Sequence, residues 1–351
     1  MRYAYIGDGF LSHNTSTSRL SSENPNAQNF PRKTGDPKAF SYHYGPKKLF
    51  TSRFGEDEGL IVQADYSQLE LRIASIFSED ENLQYAYRNG KDLHIYVASK
   101  VYKIPESEVT DDQRSSAKAV GFGLIYGKGS KSLAEDIGGT QEEAERFIAD
   151  YFKEFPGIKR WMEKMQKQVK RDKYVETLSG FRRNLQGIDS NDRMVVSESK
   201  RQSINSPVQG SGATLTLQSV IDIDRMYRQF NLKSKIIMTV HDSIVIDTHK
   251  DELYEVISIS KYIMENLHYD WITVPIVADF EIGRNYQDLV KIELKDGLEP
   301  LEAVIAEGIF PFIDRELVKS RIKNYKKAGL DLPEDIRREA ERHNVYRNAE
   351  S

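Results

Sequence analysis

The stretch Gly59 to Phe77, GLIVQADYSQLELRIASIF, constrains this chain more than any other. Leu60, Ile61 and Val62 form a short apolar run rich in β-branched residues, the pattern of a buried strand. Asp65 follows where that strand should be ending. From Gln68 the period changes: Leu69, Ile73, Ile76 and Phe77 recur at helical spacing, with Glu70 and Arg72 off that face. A carboxylate at the exit of a buried strand is costly unless it is paired, hydrogen-bonded or bound to a metal. Asp65 is therefore either the N-cap of the helix that follows or a group with a partner elsewhere in the chain.

A second aspartate has a similar setting. KIIMTVHDSIVID (235–247) is two apolar β runs flanking His241-Asp242-Ser243, and its simplest structure is a tight hairpin with Asp242 at the tip. Such a residue either serves the turn or faces a second carboxylate on a neighbouring strand. VPIVADFEIG (274–283) supplies a further strand.

RSSAKAVGFGLIY (114–126) is the third informative stretch. Arg114, Lys118, Phe122 and Tyr126 are spaced by four, so each step turns about 400° and the four form one slowly drifting stripe along a helix. Two cations followed by two aromatics suit a phosphate tail followed by a sugar and base. The same pattern is also that of an amphipathic helix with solvated cations and core aromatics. Gly121, Gly123 and Gly127 would each cost roughly 1 kcal/mol in a helix interior, which points to close approach of something flat.

The remaining segments frame these three. Residues 15–31 are polar turn chemistry, within which Arg19, Asn26 and Gln28 can contact a polar ligand. Asp92 and His94 open an amphipathic segment ending near Val101, where His94 by itself reads as a surface or cap histidine. Residues 141–171 read as two helices broken at Pro156-Gly157, and VETLSGFRRNL as a hairpin turning at Ser179-Gly180. Arg201, Asn205 and Gln209 lie four apart in a helical region (192–224) that Pro207 should break or kink.

Net charge is −4 over 351 residues, which gives no global sign of a nucleic-acid partner. From Lys153 to Arg183, however, ten Lys and Arg face four acids, a local net of +6. The absence of cysteine excludes disulfides and thiolate metal sites. No run approaches eighteen apolar residues and the first fifteen contain no signal-peptide core, so a soluble, cytoplasmic protein without membrane association is expected.

Three stretches in this order, DYSQLELR, RSSAKAVGFGLIYG and VHDS, resemble motifs A, B and C of the family A DNA polymerases, the bacterial DNA polymerase I type. SRLSSENPNAQN, DLH and RQSINSPVQG add to the match, which covers roughly residues 10–290. The resemblance implies an α+β right-hand polymerase: an antiparallel palm sheet (1–75 and 200–291), helical fingers (76–199) and a charged helical extension (292–351). It implies template-directed addition of dNTPs to a primer 3′-hydroxyl, with two Mg²⁺ ions held by Asp65, Asp242 and the carbonyl of Tyr66. Lys118 corresponds to the family's probable proton donor to pyrophosphate. Arg114, Lys118 and His94 match residues on the triphosphate, Phe122 the one against the sugar and Tyr126 the one stacking near the templating position. Glu70 matches the gate that rejects ribonucleotides, and Phe in place of Tyr at 122 implies discrimination against dideoxynucleotides. Arg19, Asn26, Gln28, Arg201, Asn205, Gln209 and His241 match contacts to primer–template, several in the minor groove, where pair geometry is tested without reading sequence.

The chain departs from the family pattern at three points. Ser243 stands where motif C usually has Glu, leaving two carboxylates. Gly121 stands where a larger polar residue is common. Segments matching a thumb, a 3′–5′ exonuclease or a 5′-nuclease are not recognised, and the last sixty residues have no recognised counterpart. A protein subunit supplying thumb or exonuclease, as in a split and phage-encoded polymerase working in host cytoplasm, is the arrangement this implies. The reading from another class is a catalytically inactive, polymerase-like DNA-binding or scaffolding subunit.

Overall fold

The computed structural model describes residues 19, 28, 30 and 45–292. Asn26 and nearly all of the charged C-terminal segment lie outside the described residues. The protein is α+β, built on a five-stranded antiparallel sheet. In chain order the elements relevant here are β1 (Gly59–Tyr66), α1 (Leu69–Ser78), α2 (Glu81–Arg88), α3 (Leu93–Tyr102) and α4 (Asp111–Ile125). They continue as α5 (Ser130–Ile137), α6 (Gln141–Glu154), α7 (Pro156–Asp172) and a small hairpin, β2 (Tyr174–Glu176) with β3 (Arg182–Asn184). After these come α8 (Arg193–Gln229), β4 (Lys235–Val240), β5 (Ser243–His249), α9 (Leu253–Glu265), β6 (Ala278–Gly283) and β7 (Val290–Ile292).

The sheet order is β4-β5-β1-β6-β7, which places β1 at the centre. Its apolar residues divide by the pleat. Leu60, Val62, Ala64 and Tyr66 join the main core, Val62 between Ile246 and Ile282, and Ala64 between Ile244 and Phe280. Helices α8 and α9 pack on the sheet and contribute Ile223, Tyr227, Val256 and Ile257 to that core. Each such side chain, fully withdrawn from water, is worth about 1.5–3 kcal/mol. The Tyr66 hydroxyl lies 2.7 Å from Ser219 Oγ on α8, which satisfies the one polar atom this face buries from β1. Ile61 belongs instead to a small second cluster with Val245 and Tyr286. The period of two puts Gln63 and Asp65 on Ile61's side of the sheet.

Asp65 is not a helix N-cap. It lies inside β1, and the cap of α1 is Gln68, in the left-handed region at φ 52° with no side-chain cap bond. Glu70 and Arg72, expected off the apolar face of α1, are both buried. Arg72 is accommodated because its Nε donates to the Ser67 carbonyl (2.8 Å) and its Nη1 to the Pro275 carbonyl (2.6 Å). It thereby ties the β1–α1 turn to the segment leading into β6.

The helices α3 and α4, α4 and α5, and α6 and α7 pack in succession, and α7 also packs on α1. Asp80 caps α2 through the Leu83 amide and reaches the Gly157 amide at 2.7 Å, which fixes the start of α7. α8 runs 37 residues, roughly 55 Å, without breaking at Pro207. It joins the two halves: Ser211 Oγ accepts from the Leu178 amide beside the small hairpin, and its later turns pack on β4 and β5. No helix among the described residues is long and apolar enough to cross a membrane.

The three glycines of α4 and its C-terminus have different reasons. A Cβ on Gly123 would lie 2.3 Å from Leu133 Cδ2, and one on Gly127, at φ 70°, 2.6 Å from Arg201 Cγ. The close approach expected from something flat is made there by the protein's own aliphatic groups. A Cβ on Gly121 would meet nothing within 4 Å. Gly123→Ala should therefore destabilise the protein by about 1–3 kcal/mol through overpacking. Gly121→Ala should stabilise it by up to about 1 kcal/mol. Urea unfolding of the two variants checks both.

Candidate active site

Asp65, the penultimate residue of β1, pairs across the sheet with Ser243 on β5 and Asp279 on β6. Asp242 is the second residue of the two-residue turn between β4 and β5, immediately before Ser243. The first, His241, is exposed and takes a left-handed φ of 55°. The Tyr66 amide donates to the Asp242 carbonyl at 3.3 Å, so the β1–β5 ladder continues one step beyond Ser243. Facing residues of such a ladder lie about 4.5–5.5 Å apart, and Asp65 and Asp242 are one residue out of that register. Both are half-buried.

Carboxylates on neighbouring backbone positions repel, and a cation among them offsets the cost. Arg19 Nη2 donates to Asp242 Oδ1 (3.2 Å) and to Glu70 Oε1 (2.6 Å). Asp279 is paired separately, with Lys291 at 3.3 Å. Glu70, in the first turn of α1, accepts at Oε2 from the Tyr126 hydroxyl. Burial raises the Glu70 pKa against the opposing pull of Tyr126 and Arg19, and Asp242 adds to the rise. Burial and Glu70 together push the Tyr126 hydroxyl up. Tyr126, Glu70, Arg19 and Asp242 thus form one connected network across α4, α1 and the β4–β5 turn. Among the described residues no three His, Cys, Asp or Glu side chains converge as a metal-holding group.

The α4 stripe faces outward as its spacing predicts: Arg114 and Phe122 are half-buried, Lys118 and Tyr126 exposed. Lys118 has no ion pair among the described residues. His94 departs from the surface position expected for it; it is 3% exposed, its ring centroid 5.9 Å from that of Phe122. The cap of α3 is Asp92, whose Oδ1 accepts from the His94 (2.9 Å) and Ile95 (3.0 Å) amides. Burial lowers the His94 pKa to about 4, Arg114 and Lys118 push it the same way, and Asp92 opposes them. At neutral pH the imidazole is uncharged.

Residues expected to meet a duplex are spread more widely. Arg201 is exposed, ion-paired with Glu198, and lies against Gly127. Asn205 and Gln209, one turn apart on α8, are half-buried and make no side-chain hydrogen bond among the described residues. Gln28 donates to the Thr239 carbonyl of β4 at 3.1 Å. Arg183 Nη1 reaches Ser206 Oγ (2.7 Å), a neighbour of Asn205. The basic segment lies chiefly on α7, where Lys159, Arg160, Lys164, Lys167 and Lys170 are exposed opposite buried Ile158, Trp161, Met165 and Val169. From sequence, Asp92 reads only as the start of a helical segment and Arg183 only as the end of the basic run; a capping aspartate before an apolar helical run is the signal that gives the first a partner.

An unprotonated buried histidine carries a definite pH signature. Unfolded, His94 titrates near pH 6.5, and folded near 4, so protonation favours the unfolded chain as pH falls through that window. The wild type should lose stability from about pH 6.5 down to 4 more steeply than His94→Gln. Thermal denaturation of both across that range checks the slope.

The family model for DNA polymerase family A matches residues 5–288. A DNA polymerase of Bacillus phage SP01 is 42% identical over 339 residues, covering 93% of this chain and 36% of its own. That match extends past residue 292, so the C-terminal segment does have a counterpart in a relative. DNA polymerase I of Bacillus caldotenax is 34% identical over 274 residues, 78% of this chain and 30% of its own. The chain therefore spans about a third of the length of these curated relatives. Among solved structures, the polymerase domain of Pol1 from M. smegmatis, in complex with DNA primer–template and dNTP, is similar with a TM-score of 0.71 and 32% identity. That similarity covers 78% of this chain and 47% of that one. The family model spans both aspartates, the α4 stripe and four of the five strands of the sheet together, and on that match this chain belongs to DNA polymerase family A.

Proposed function

We propose that the chain carries the palm and fingers of a template-directed DNA polymerase, adding deoxynucleotides to a primer 3′-hydroxyl and releasing pyrophosphate. The observation that supports this most strongly is the position of Asp65 and Asp242, both half-buried, one near the end of β1 and the other in the turn that leads into the neighbouring β5, one residue out of register. In this reading the sheet with α8 and α9 is the palm, and α2–α7 are the fingers. Residues 292–351 form an extension.

The donor chemistry fits Mg²⁺: two carboxylates and a backbone carbonyl are hard oxygen ligands, and a cation, Arg19, already lies against Asp242. Asp65, Asp242 and the Tyr66 carbonyl would hold the metal. Bound Mg²⁺ lowers the pKa of a hydroxyl and neutralises charge on phosphate oxygens. The protein's own groups do the rest. Arg114 and Lys118 hold the triphosphate, and Lys118 supplies the proton that leaves with pyrophosphate. Neutral His94 donates one N–H to a phosphate oxygen without adding a third charge. Phe122 packs against the sugar and Glu70 crowds its 2′ position. Tyr126, held to Glu70, stands at the edge of the templating position. Asn205 and Gln209 offer amide donors to the minor groove, joined by Arg19, Asn26, Gln28, Arg201 and His241 along primer–template. A duplex-gripping thumb, in another segment or a partner subunit, completes the enzyme. No covalent intermediate is needed; alignment and charge stabilisation carry the reaction.

The scaffold reading requires that these groups be idle, whereas both aspartates are present together with a Lys118 that has no ion pair among the described residues. Asp65→Asn and Asp242→Asn should each lower Mg²⁺-dependent primer extension by about 10³-fold or more. Retained DNA binding with no extension by wild type, even beside a thumb-bearing subunit, would favour the scaffold. Glu70→Ala should raise ribonucleotide incorporation relative to dNTP by on the order of 10²-fold, read from single-nucleotide extension with each.

A further inference from the structure

One carboxylate in the fingers is used twice. Asp92 Oδ1 caps α3 through the His94 and Ile95 amides, while Oδ2 accepts from Arg114 Nε (3.1 Å) and Nη2 (2.8 Å) on α4. A guanidinium has five N–H donors in a rigid fork. Asp92 engages two of them along one edge, leaving both Nη1 donors and one on Nη2 directed elsewhere. The same carboxylate thus sets the start of the helix that carries buried His94 and the turn of the side chain lying one helical turn from Lys118.

We infer that Asp92 is a positioning residue for the phosphate-binding face of α3 and α4, orienting Arg114 beside Lys118 and His94 before a triphosphate arrives. This rests on the polymerase reading above and adds to it a residue that touches no substrate. The physical advantage is preorganisation. A free arginine samples many rotamers and loses that freedom on binding, whereas a clasped one has already lost it. The ion pair is partly exposed, with the two side chains 38% and 34% accessible, so its effect is modest. The negative charge of Asp92 is itself largely committed. Although burial raises its pKa, the Arg114 and Ile95 hydrogen bonds prevail and hold the carboxyl below its usual range.

Asp92→Asn separates the two uses, because an asparagine oxygen still caps α3 while the charged clasp on Arg114 is lost. With the full chain, the affinity for inorganic tripolyphosphate should fall about three- to fivefold. The KM for dNTP in primer extension should rise by a similar factor, with kcat little changed. Asp92→Ser, whose hydroxyl also caps, should give the same shift and guards against a folding artefact in either variant. On an Arg114→Gln background Asp92→Asn should add nothing further, since its effect passes through Arg114. Unchanged affinity, tighter binding (Asp92 as a competitor for Arg114), multiplying effects on that background, or no tripolyphosphate binding by wild type would each overturn the inference. Failure of wild type to extend a primer while still binding tripolyphosphate would count against the polymerase reading alone, because the affinities of the variants still decide the clasp.

Discussion

The structure depends on the backbone ladder between β1 and β5. Two anionic side chains brought to neighbouring backbone positions repel, so side-chain chemistry alone drives them apart. The antiparallel register overrides this, with Asp65 opposite Ser243 and the Tyr66 amide on the Asp242 carbonyl. That register is enforced from the other face of the sheet. Leu60, Val62 and Ala64 reach the core beside Ile244 and Ile246 only in this pairing, and a slip of one residue would turn them all to the opposite face, away from the main core. Apolar burial on one face therefore holds two anions in place near the other.

Once the pair is in place, the surrounding groups follow from charge. Arg19 bridges Asp242 and Glu70, and Glu70 is buried with its remaining oxygen on Tyr126. The chain of contacts crosses from the β4–β5 turn through α1 to the C-terminus of α4. α8 gives mechanical continuity to the same connection, with one end against the small hairpin and the other against β4 and β5. At the start of α3, Asp92 does for Arg114 what Arg19 does for Asp242 and Glu70, setting one charged group with another of opposite sign.

Much of this is legible in one dimension because it is local. The change from a β-branched run to helical spacing near Gln68, the break at Pro156-Gly157 and the hairpin tip at His241-Asp242 depend on neighbours a few residues away, and the structure has all three. Where the reading of single residues failed, distant contacts were the cause. Glu70 and Arg72 look solvent-facing by periodicity, yet both are buried, with hydrogen-bond partners 51 and 203 residues away. His94 looks like a surface histidine until Phe122 closes over it. Of the break or kink that Pro207 predicts, the break does not occur: α8 is held by tertiary packing and runs through.

The sequence by itself determined the parts: an acidic strand end, an acidic hairpin tip, a helix with cations and aromatics in line, and their order along the chain, which identifies the family. Only the tertiary structure decided how those parts meet. Register between strands 170 or more residues apart is set by which apolar side chains can share a core, and burial of a charged group is set by partners that arrive from other elements. Periodicity records which way a residue faces along its own element. It does not record what stands opposite.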